Sequence, residues 1–370
     1  MRKDLLKKVR RVVVKVGSSL VTQNDLISTR RISALVKDIS FVVNDLKVEV
    51  VLVSSGAIAS GLGSLNKKRQ NFTIPEKQAL ASVGQVVLVN EYKKHFARQG
   101  LNIGQILLTE DDLKNRRRFL NARHSLNALL KLGAVPIINE NDSVVVKEIK
   151  FGDNDTLSAH VAGLVEADLL ILLSDVAGFY DNPLAPKPSF LKEITKIDDQ
   201  IRSKAGSPKN SCGTGGMMTK IKAAEIMMKF GEKMIIADGR QKEVLSKILK
   251  GEEIGTIFYN QRKPLSSRKK WITLKKTKGI IFVDQGAVNA LAISKKSLLA
   301  IGIVKVEGQF QMGDPVSLAD NKGNFIGQGI VNYNSDELVQ IMGKKNIEIK
   351  RILGYNYFSE VINRDDLIIF

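Results

Sequence analysis

The sequence contains little of what disulfide bonds or cysteine-based metal sites need. Its 370 residues include one cysteine and three histidines. The single Cys212 excludes an internal disulfide and a cysteine cluster for a metal, which fits a reducing, cytoplasmic environment. His95, His124 and His160 lie far apart, without the spacing of metal ligands. We therefore expect the histidines to be packing or surface residues, and we predict no protein-bound metal.

Long apolar runs are also missing. No segment approaches the ~20 apolar residues that a membrane-spanning helix needs. The basic start MRKDLLKKVRR, followed by VVV, resembles a signal peptide, but Lys15 interrupts the apolar run at once. The length and the hydrophobic content of 44% are typical of about two globular domains. We expect a cytoplasmic protein that does not enter the membrane.

Acidic residues are scarce relative to basic ones, and the net charge is +19. Such a charge indicates either a polyanionic partner such as nucleic acid or a nucleotide site on a basic surface. From Lys276 onward, 11 Lys and Arg stand against 10 Asp and Glu, which leaves +18 of the +19 in the first 275 residues. The basic excess therefore belongs to the part of the chain that carries the candidate phosphate-binding motifs.

Apolar runs alternate with helical patterns through the first 260 residues. Strands are predicted over six runs: 11–17, 48–53, 103–108, 134–138, 168–173 and 233–237. Helices are predicted between them, at 30–46, 76–99, 117–132, 155–165 and 217–230. This order is typical of an α/β fold with three layers, in which helices cover both faces of a mainly parallel sheet. The alternating segment 144–151 is predicted to be a hairpin strand that projects from that sheet.

The composition and the pattern of apolar residues change after residue 260. Residues 261–275 are polar and basic, which predicts a solvated linker. Short β-rich runs separated by Gly-Asp and Asn-Lys-Gly turns follow it. The sequence therefore predicts three parts: a domain over 1–260, a linker over 261–275, and a small β-rich domain with a C-terminal tail over 276–370.

Polar strings follow several of the predicted strands. Because ligands of open α/β sheets bind at the carboxyl ends of the strands, these strings predict one shared site. Lys15 is followed by Gly17 and two serines, and Ser54-Ser55-Gly56 leads straight into a helix. In one interpretation, Lys15 faces a phosphate and the helix after Gly56 binds an anion at its N-terminus. In the other interpretation, Lys15 only extends into solvent from an edge strand and a serine only caps the helix.

Carboxylates and glycines complete the candidate site. The string INEND, 138–142, is denser in polar groups than a simple turn requires, and Asp142 could hold a substrate ammonium. Asp153, Asn154 and Asp155 begin the next helix, where capping explains one of them but not all three. In GTGGMMTK, 213–220, the glycines free backbone N–H groups for phosphate oxygens and Lys220 adds charge. A Walker A loop is disfavoured because Ile221 follows the lysine. The combination indicates phosphoryl transfer.

These strings, in this order, carry a family resemblance. The motifs VVVKVGSS, SSGAIASG, INENDSV, IKFGDNDTLSA, LLSDVAGFY and GTGGMMTKIKAA resemble the amino acid kinase family, and in detail its members that phosphorylate free glutamate. Further similarity extends through KQALASVGQ, GQILLT, RRFLNAR and GTIF. The later strings VDQGAVNAL, SLLAIGI, GQFQMGD and ILGY resemble a PUA domain. The resemblance covers nearly the whole chain and implies an amino acid kinase fold followed by a small PUA fold.

The resemblance also implies roles for individual residues. Lys15 and Lys220 would flank the transferring phosphoryl group, and Asp155 would orient both lysines. Ser55, Asp142 and Asn154 would bind glutamate. ATP would be held by Lys15 and by residues after the fifth strand and in the glycine-rich loop, namely Ser174, Asp175, Thr214, Gly215, Gly216, Met217, Met218, Thr219 and Lys220. The chain departs from the common pattern in Ser54 and Ser174, where Thr is frequent, and in Met218, where Ser is frequent.

The implied reaction is ATP-dependent phosphorylation of the γ-carboxylate of L-glutamate, the first step of proline biosynthesis. Mg²⁺ would be bound mainly through the phosphates of ATP. Feedback inhibition by proline and a homo-oligomeric assembly are also implied. Two alternatives stay open: another amino acid kinase acting on acetylglutamate or aspartate, and an RNA-binding protein acting through the PUA-like domain.

Overall fold

A computed structural model of the chain describes residues 2–68, 70–144, 154–182, 189–206, 216–261, 263–354 and 358–370. The chain divides into two compact units, Met1–Pro264 and Leu265–Phe370. In the described part, no helix is both long and apolar enough to cross a bilayer. The predicted hairpin strand at 144–151 lies outside the described residues except for Val144.

The first unit consists of alternating strands and helices. Its described strands are β1 (Arg11–Val16), β2 (Thr22–Gln23), β3 (Leu26–Ile27), β4 (Glu49–Ser54), β5 (Asn102–Leu108), β6 (Ala134–Glu140), β7 (Leu169–Ser174), β8 (Phe179–Tyr180), β9 (Phe190–Leu191), β10 (Glu193–Ile194), β11 (Lys233–Asp238) and β12 (Thr256–Phe258). Its described helices are α1 (Arg2–Leu6), α2 (Ser18–Val21), α3 (Thr29–Asn44), α4 (Ala57–Ser64), α5 (Ile74–Ala97), α6 (Glu110–Lys114), α7 (Arg116–Lys131), α8 (Asn154–Leu164), α9 (Asp199–Lys204), α10 (Met217–Lys229) and α11 (Val244–Leu249).

Eight of the described strands form one sheet in the order β10-β12-β11-β7-β1-β4-β6-β5. The pairs β7–β1, β1–β4, β4–β6 and β6–β5 are parallel, and β11–β12 is antiparallel. The apolar strands are buried because helices cover them on both faces. The predicted α/β fold with a mainly parallel sheet is confirmed.

The pleat of β1 decides which side chains face which helices. Val12, Val14 and Val16 pack into the same core cluster as side chains of α3 and α5. Since alternate residues of a strand point to opposite faces, Lys15 must lie on the other face, where α8 contacts β1. The alternation alone therefore directs the lysine toward α8.

The second unit is a smaller β-rich fold. Its described elements are α12 (Ser267–Thr273), β13 (Gly279–Val283), α13 (Gln285–Ala292), a 3-10 helix at Ala300–Gly302, β14 (Ile303–Gly308), β15 (Pro315–Asp320), β16 (Phe325–Ile330), α14 (Ser335–Ile341), α15 (Asn346–Leu353), a 3-10 helix at Arg364–Asp366, and β17 (Leu367–Ile369). The described strands form one sheet in the order β14-β13-β15-β16-β17. A separate apolar core includes Ile281, Leu318 and Tyr333.

The stretch 261–275 differs from the predicted solvated linker. Helix α12 occupies seven of its residues and contacts β16 and β17 of the second unit. Trp271 is 8% exposed and Ile272 is fully buried. Apolar side chains at two adjacent positions give the helix a buried face, which the surrounding charges obscure in the sequence. Residues 265–275 accordingly belong to the second unit rather than to a free connection.

Candidate active site

Lys15 lies near the end of β1 and points toward the first turn of α8. Its side chain is buried, and its Nζ lies 2.6 Å from Oδ1 of Asp155. The neighbouring strands end beside it, since the backbone N–H of Gly17 donates to Leu173 O and that of Ser55 donates to Val16 O. Burying a lysine is costly unless it is paired, so this ion pair is what makes the position tolerable.

Asp155 brings two lysines together. Its Oδ2 accepts a hydrogen bond from Lys220 Nζ at 3.0 Å and another from the hydroxyl of Thr219 at 2.8 Å. Asp155 is fully buried, and Lys220 is only 6% exposed. Lys220 belongs to the first turn of α10, which packs closely on α8. The three charged groups form a cluster of net charge +1 beneath the ends of β1 and β4.

The ionisation of Asp155 is fixed by its surroundings. Burial by itself would raise the pKa of this carboxyl, but the ammonium groups of Lys15 and Lys220 outweigh it and lower the pKa to about 2. Asp155 is therefore a permanent anion at neutral pH. A permanently charged carboxylate with its oxygens engaged by two lysines serves as an orienting group and not as a proton acceptor.

Asn154 joins the ends of three chain segments. Its Nδ2 donates to Ser54 O at 3.1 Å, to Ser55 Oγ at 2.9 Å and to Asn139 Oδ1 at 3.0 Å. These contacts all use the amide nitrogen, and none of them uses the carbonyl oxygen. The arrangement places Ser55 and Asn154, two predicted substrate-binding residues, next to each other and directly before Asp155.

A cavity of about 270 Å³ opens next to Asn139, the hydrogen-bond partner of Asn154, and neither Ser55 nor Asn154 lines it. It is lined by the carboxyl end of β6 and the residues after it, including Glu140 and Asp142, and by Gln85 and Ala57. Asp142, the third predicted substrate-binding residue, thus lies on the wall of a cavity beside Asn154's partners.

The predicted ATP-binding residues fall in two places. Ser174 ends β7 and Asp175 follows it, with the Asp175 carbonyl accepting a hydrogen bond from Arg240 Nη2 at 2.8 Å. Arg240 is itself held by Asp238 at the end of β11, at 2.8 Å. The other described residues of this set lie at the start of α10. Gly216 is its N-cap residue, and its first turn is formed by Met217, Met218, Thr219 and Lys220. Thr214 and Gly215, as well as Cys212 and Asp153, lie outside the described residues.

Several contacts within the site were not predicted from the sequence. Thr219 supports Asp155, whereas the resemblance implied only ATP binding for it. Arg240, Gln85 and Tyr92 were absent from the predictions; the Tyr92 hydroxyl lies 2.9 Å from Ser54 Oγ. Glutamine and tyrosine within a helix carry no sequence signal for such a contact. Arg240 follows a strand end, and that position was the available signal.

No dedicated metal site emerges from the described residues. Within them, no three His, Cys, Asp or Glu side chains come close enough together to hold a metal ion. The carboxylate best placed for one, Asp155, already binds two ammonium groups. The described residues therefore do not fit a protein-coordinated cation at this point.

Comparison with known proteins agrees with the geometry. A family model described as the amino acid kinase family matches residues 10–238, which is more than half of the chain. This chain belongs to the amino acid kinase family. A model of the PUA domain matches residues 279–353 within the second unit. Both resemblances stated from the sequence motifs are confirmed.

Curated relatives narrow the place of the chain within the amino acid kinase family. It is 47% identical over 363 residues to the glutamate 5-kinase of Thermoanaerobacter sp. (strain X514), with 97% of each chain covered. It is 48% identical over 375 residues to that of Syntrophotalea carbinolica, with 100% of each covered. Among solved structures, carbamate kinase from Giardia lamblia bound to AMP-PNP matches with a TM-score of 0.50 and 16% identity, covering 69% of this chain and 99% of that one. The last similarity supports the fold alone.

Proposed function

We infer that this chain is a glutamate 5-kinase, which transfers the γ-phosphoryl group of ATP to the side-chain carboxylate of L-glutamate in proline biosynthesis. Full-length relatives of that name support the reaction. The single structural observation that supports it best is the Lys15–Asp155–Lys220 cluster next to Asn154. It provides two cations where two anionic substrates must meet.

The chemistry of this reaction requires charge neutralisation and not proton removal. The γ-carboxylate of glutamate has a pKa of about 4.3 and is already a nucleophile at neutral pH. The obstacle is its repulsion from the triphosphate. Lys15 and Lys220, held in place by Asp155, would neutralise the charge that develops on the transferring phosphoryl oxygens. The absence of histidine from the proposed roles follows from this chemistry.

The substrates are proposed to occupy the two sides of the cluster. Ser55, Asn154 and Asp142 would bind glutamate, with Asp142 pairing with its ammonium group. ATP would lie on the side of the β7 and α10 residues, bound by Lys15, Ser174, Asp175 and the loop 214–220. Mg²⁺ would arrive with ATP, coordinated by phosphate oxygens and water, since Asp155 is engaged by lysines.

Substrate profiling with hydroxylamine tests this proposal. Hydroxylamine traps an acyl phosphate as a hydroxamate, so ATP-dependent hydroxamate formation reports phosphorylation of a carboxylate. We expect product with L-glutamate and little with N-acetylglutamate, which has no ammonium for Asp142, or with aspartate, which is one methylene shorter. Preference for N-acetylglutamate or aspartate would assign the chain to a different substrate in the same family.

Regulation by proline rests on the family resemblance. We propose that proline competes with glutamate for an overlapping site in a homo-oligomeric, cytoplasmic enzyme. Initial rates at sub-saturating glutamate should fall as proline is raised into the millimolar range, and saturating glutamate should restore them. Unchanged rates would remove the regulatory claim and leave the kinase assignment intact.

A further inference from the structure

Gln85 lies outside the proposed substrate and nucleotide contacts, yet it is joined to them by a line of amide hydrogen bonds. It belongs to the middle of α5. Its Oε1 accepts a hydrogen bond from Asn139 Nδ2 at 2.8 Å, and Asn139 Oδ1 in turn accepts from Asn154 Nδ2 at 3.0 Å. Asn139 is only 3% exposed. A buried middle member must have both ends of its amide satisfied.

The orientation of the Asn139 amide group is fixed by a backbone donor. The N–H of Glu140 donates to Asn139 Oδ1 at 2.9 Å, and a backbone N–H can only donate. That end of Asn139 is therefore the oxygen, and the other end is an NH₂ group that needs an acceptor. Gln85 supplies it. The same oxygen obliges Asn154 to present its nitrogen to Asn139, which leaves the carbonyl oxygen of Asn154 as the group for the substrate.

A glycine allows α5 to come close enough for this contact. A Cβ atom at Gly84 would lie 1.8 Å from Ala57 O and 2.4 Å from Gly61 N, so no other residue fits there without displacement of the helix. Helices α4 and α5 thus touch through their backbones just before Gln85. The glutamine is held at the site by helix packing and does not depend on a loop.

We propose that Gln85 is a positioning residue for the acceptor substrate: through Asn139 it helps to hold the Asn154 amide in place, together with Ser54 O, so that the Asn154 oxygen is turned toward the amino acid. The inference rests on the proposed glutamate site. It does not require Gln85 to touch glutamate, although Gln85 also lines the cavity. The experiment must therefore separate action through Asn154 from direct contact.

Steady-state kinetics of Gln85→Leu give the first readout. Leucine has a similar size but cannot accept a hydrogen bond, so the buried NH₂ group of Asn139 loses its acceptor and Asn139 can shift relative to Asn154. We expect KM for glutamate to rise about 5- to 10-fold, the effect of one lost hydrogen bond, with KM for ATP unchanged. Asn90→Leu, on the exposed side of the same helix, is the matched control and should leave both unchanged. An unchanged KM for glutamate in Gln85→Leu, or an equal rise for ATP, would overturn the proposal.

A double-mutant cycle gives the second readout. If Gln85 acts through Asn154, then Gln85→Leu should add almost nothing to KM once Asn154 is replaced by Ala. The same 5- to 10-fold rise in the Asn154→Ala background would mean direct contact and would also overturn the proposal. Gln85→Ala replaces Gln85→Leu in the cycle if the latter does not fold. The KM ratios of variant to wild type are measured with whichever amino acid the wild type phosphorylates. A wild type that does not phosphorylate glutamate would therefore reject the proposed function without rejecting the positioning role of Gln85.

Discussion

At the scale of single residues, the site depends on one carboxylate that no solvent reaches. Asp155 is fully buried, and each of its oxygens faces a lysine. Its removal would leave two ammonium groups in a buried place without their counter-charge. Breaking a buried ion pair from one side is among the costly substitutions, at about 3–5 kcal/mol. Asp155 is therefore expected to matter for stability and for catalysis together.

Asp155→Asn should lower kcat by about 10-fold or more, because both lysines lose their fixed positions. It should also lower Tm, which differential scanning fluorimetry measures. The control is Asp199→Asn, whose side chain is 99% exposed and which should change neither quantity. A variant with wild-type kcat would show that the lysines do not need the carboxylate.

The pH dependence of that Tm difference follows from the lowered pKa of Asp155. A carboxylate with a depressed pKa contributes stability above its unfolded pKa, near 4, and loses the contribution as pH falls toward its folded value of about 2. The difference in Tm between wild type and Asp155→Asn should therefore stay constant between pH 5 and pH 9. A difference that disappears between pH 5 and pH 7 would mean that Asp155 titrates in that range.

A separate prediction concerns Asp142 and the binding of glutamate. Asp142→Ala should raise KM for glutamate far more than KM for ATP, because a lost ammonium contact affects only one half of the site. The comparison of the two KM values in one variant is its own control. Equal increases for both substrates would point to a folding defect or to another role for this residue.

At the scale of elements, the long apolar strands could be predicted and the small ones could not. The six predicted strands correspond to β1, β4, β5, β6, β7 and β11, with ends that differ by at most two residues. Continuous Val, Ile and Leu runs specify them because both faces are buried. The two-residue strands β8, β9 and β10 depend on tertiary pairing and give no periodic signal.

The charged residues of the site could be predicted from the sequence, whereas the contacts between its amide side chains could not. Lys15 could be chosen because a charge inside an apolar run is conspicuous, Asp155 because it stands in a polar string at the start of a helix, and Lys220 because it ends a glycine-rich string. The contact of Asn154 with Asn139, and of Asn139 with Gln85, joins residues 15 and 54 positions apart. Such pairs depend on how β6, α8 and α5 pack. The packing of α5 against α4 is consequently the element-scale feature to test.

Gly84→Ala should disrupt that packing. The added Cβ would lie 1.8 Å from a backbone carbonyl, which cannot move out of the way as a flexible side chain can. We expect a loss of about 1–3 kcal/mol in the free energy of unfolding, measured by urea denaturation, despite the higher helix propensity of alanine. Ser82→Ala, on the exposed side of α5, is the control. Equal stability of Gly84→Ala and wild type would contradict the close approach.

At the scale of the whole molecule, the two units separate the chemistry from the β-rich fold. Every described residue assigned to the site lies in the first unit, which ends at Pro264. Helix α12 contributes the buried Trp271 and Ile272 to the second unit. A cut after Leu274, within the stretch predicted to be a linker, would thus strip this helix of its partners.

A chain that ends at Pro264 should keep glutamate kinase activity in the hydroxamate assay, because a unit with its own core can fold alone. A chain that ends at Leu274 should be less soluble, since it retains α12 with an uncovered apolar face. Activity per folded protein and the amount of soluble protein are measured for both. Loss of activity from a well-folded chain ending at Pro264 would assign the second unit a direct part in catalysis.

The central claim is that Lys15 and Lys220 together stabilise the transferring phosphoryl group. The most direct measurement is kcat for glutamate phosphorylation by Lys15→Ala, Lys220→Ala and the control Lys222→Ala, which changes an exposed lysine on the same helix as Lys220. Each of the first two should lower kcat by on the order of 10² or more, and the control should not change it. A near-normal kcat in Lys15→Ala or Lys220→Ala would contradict the account.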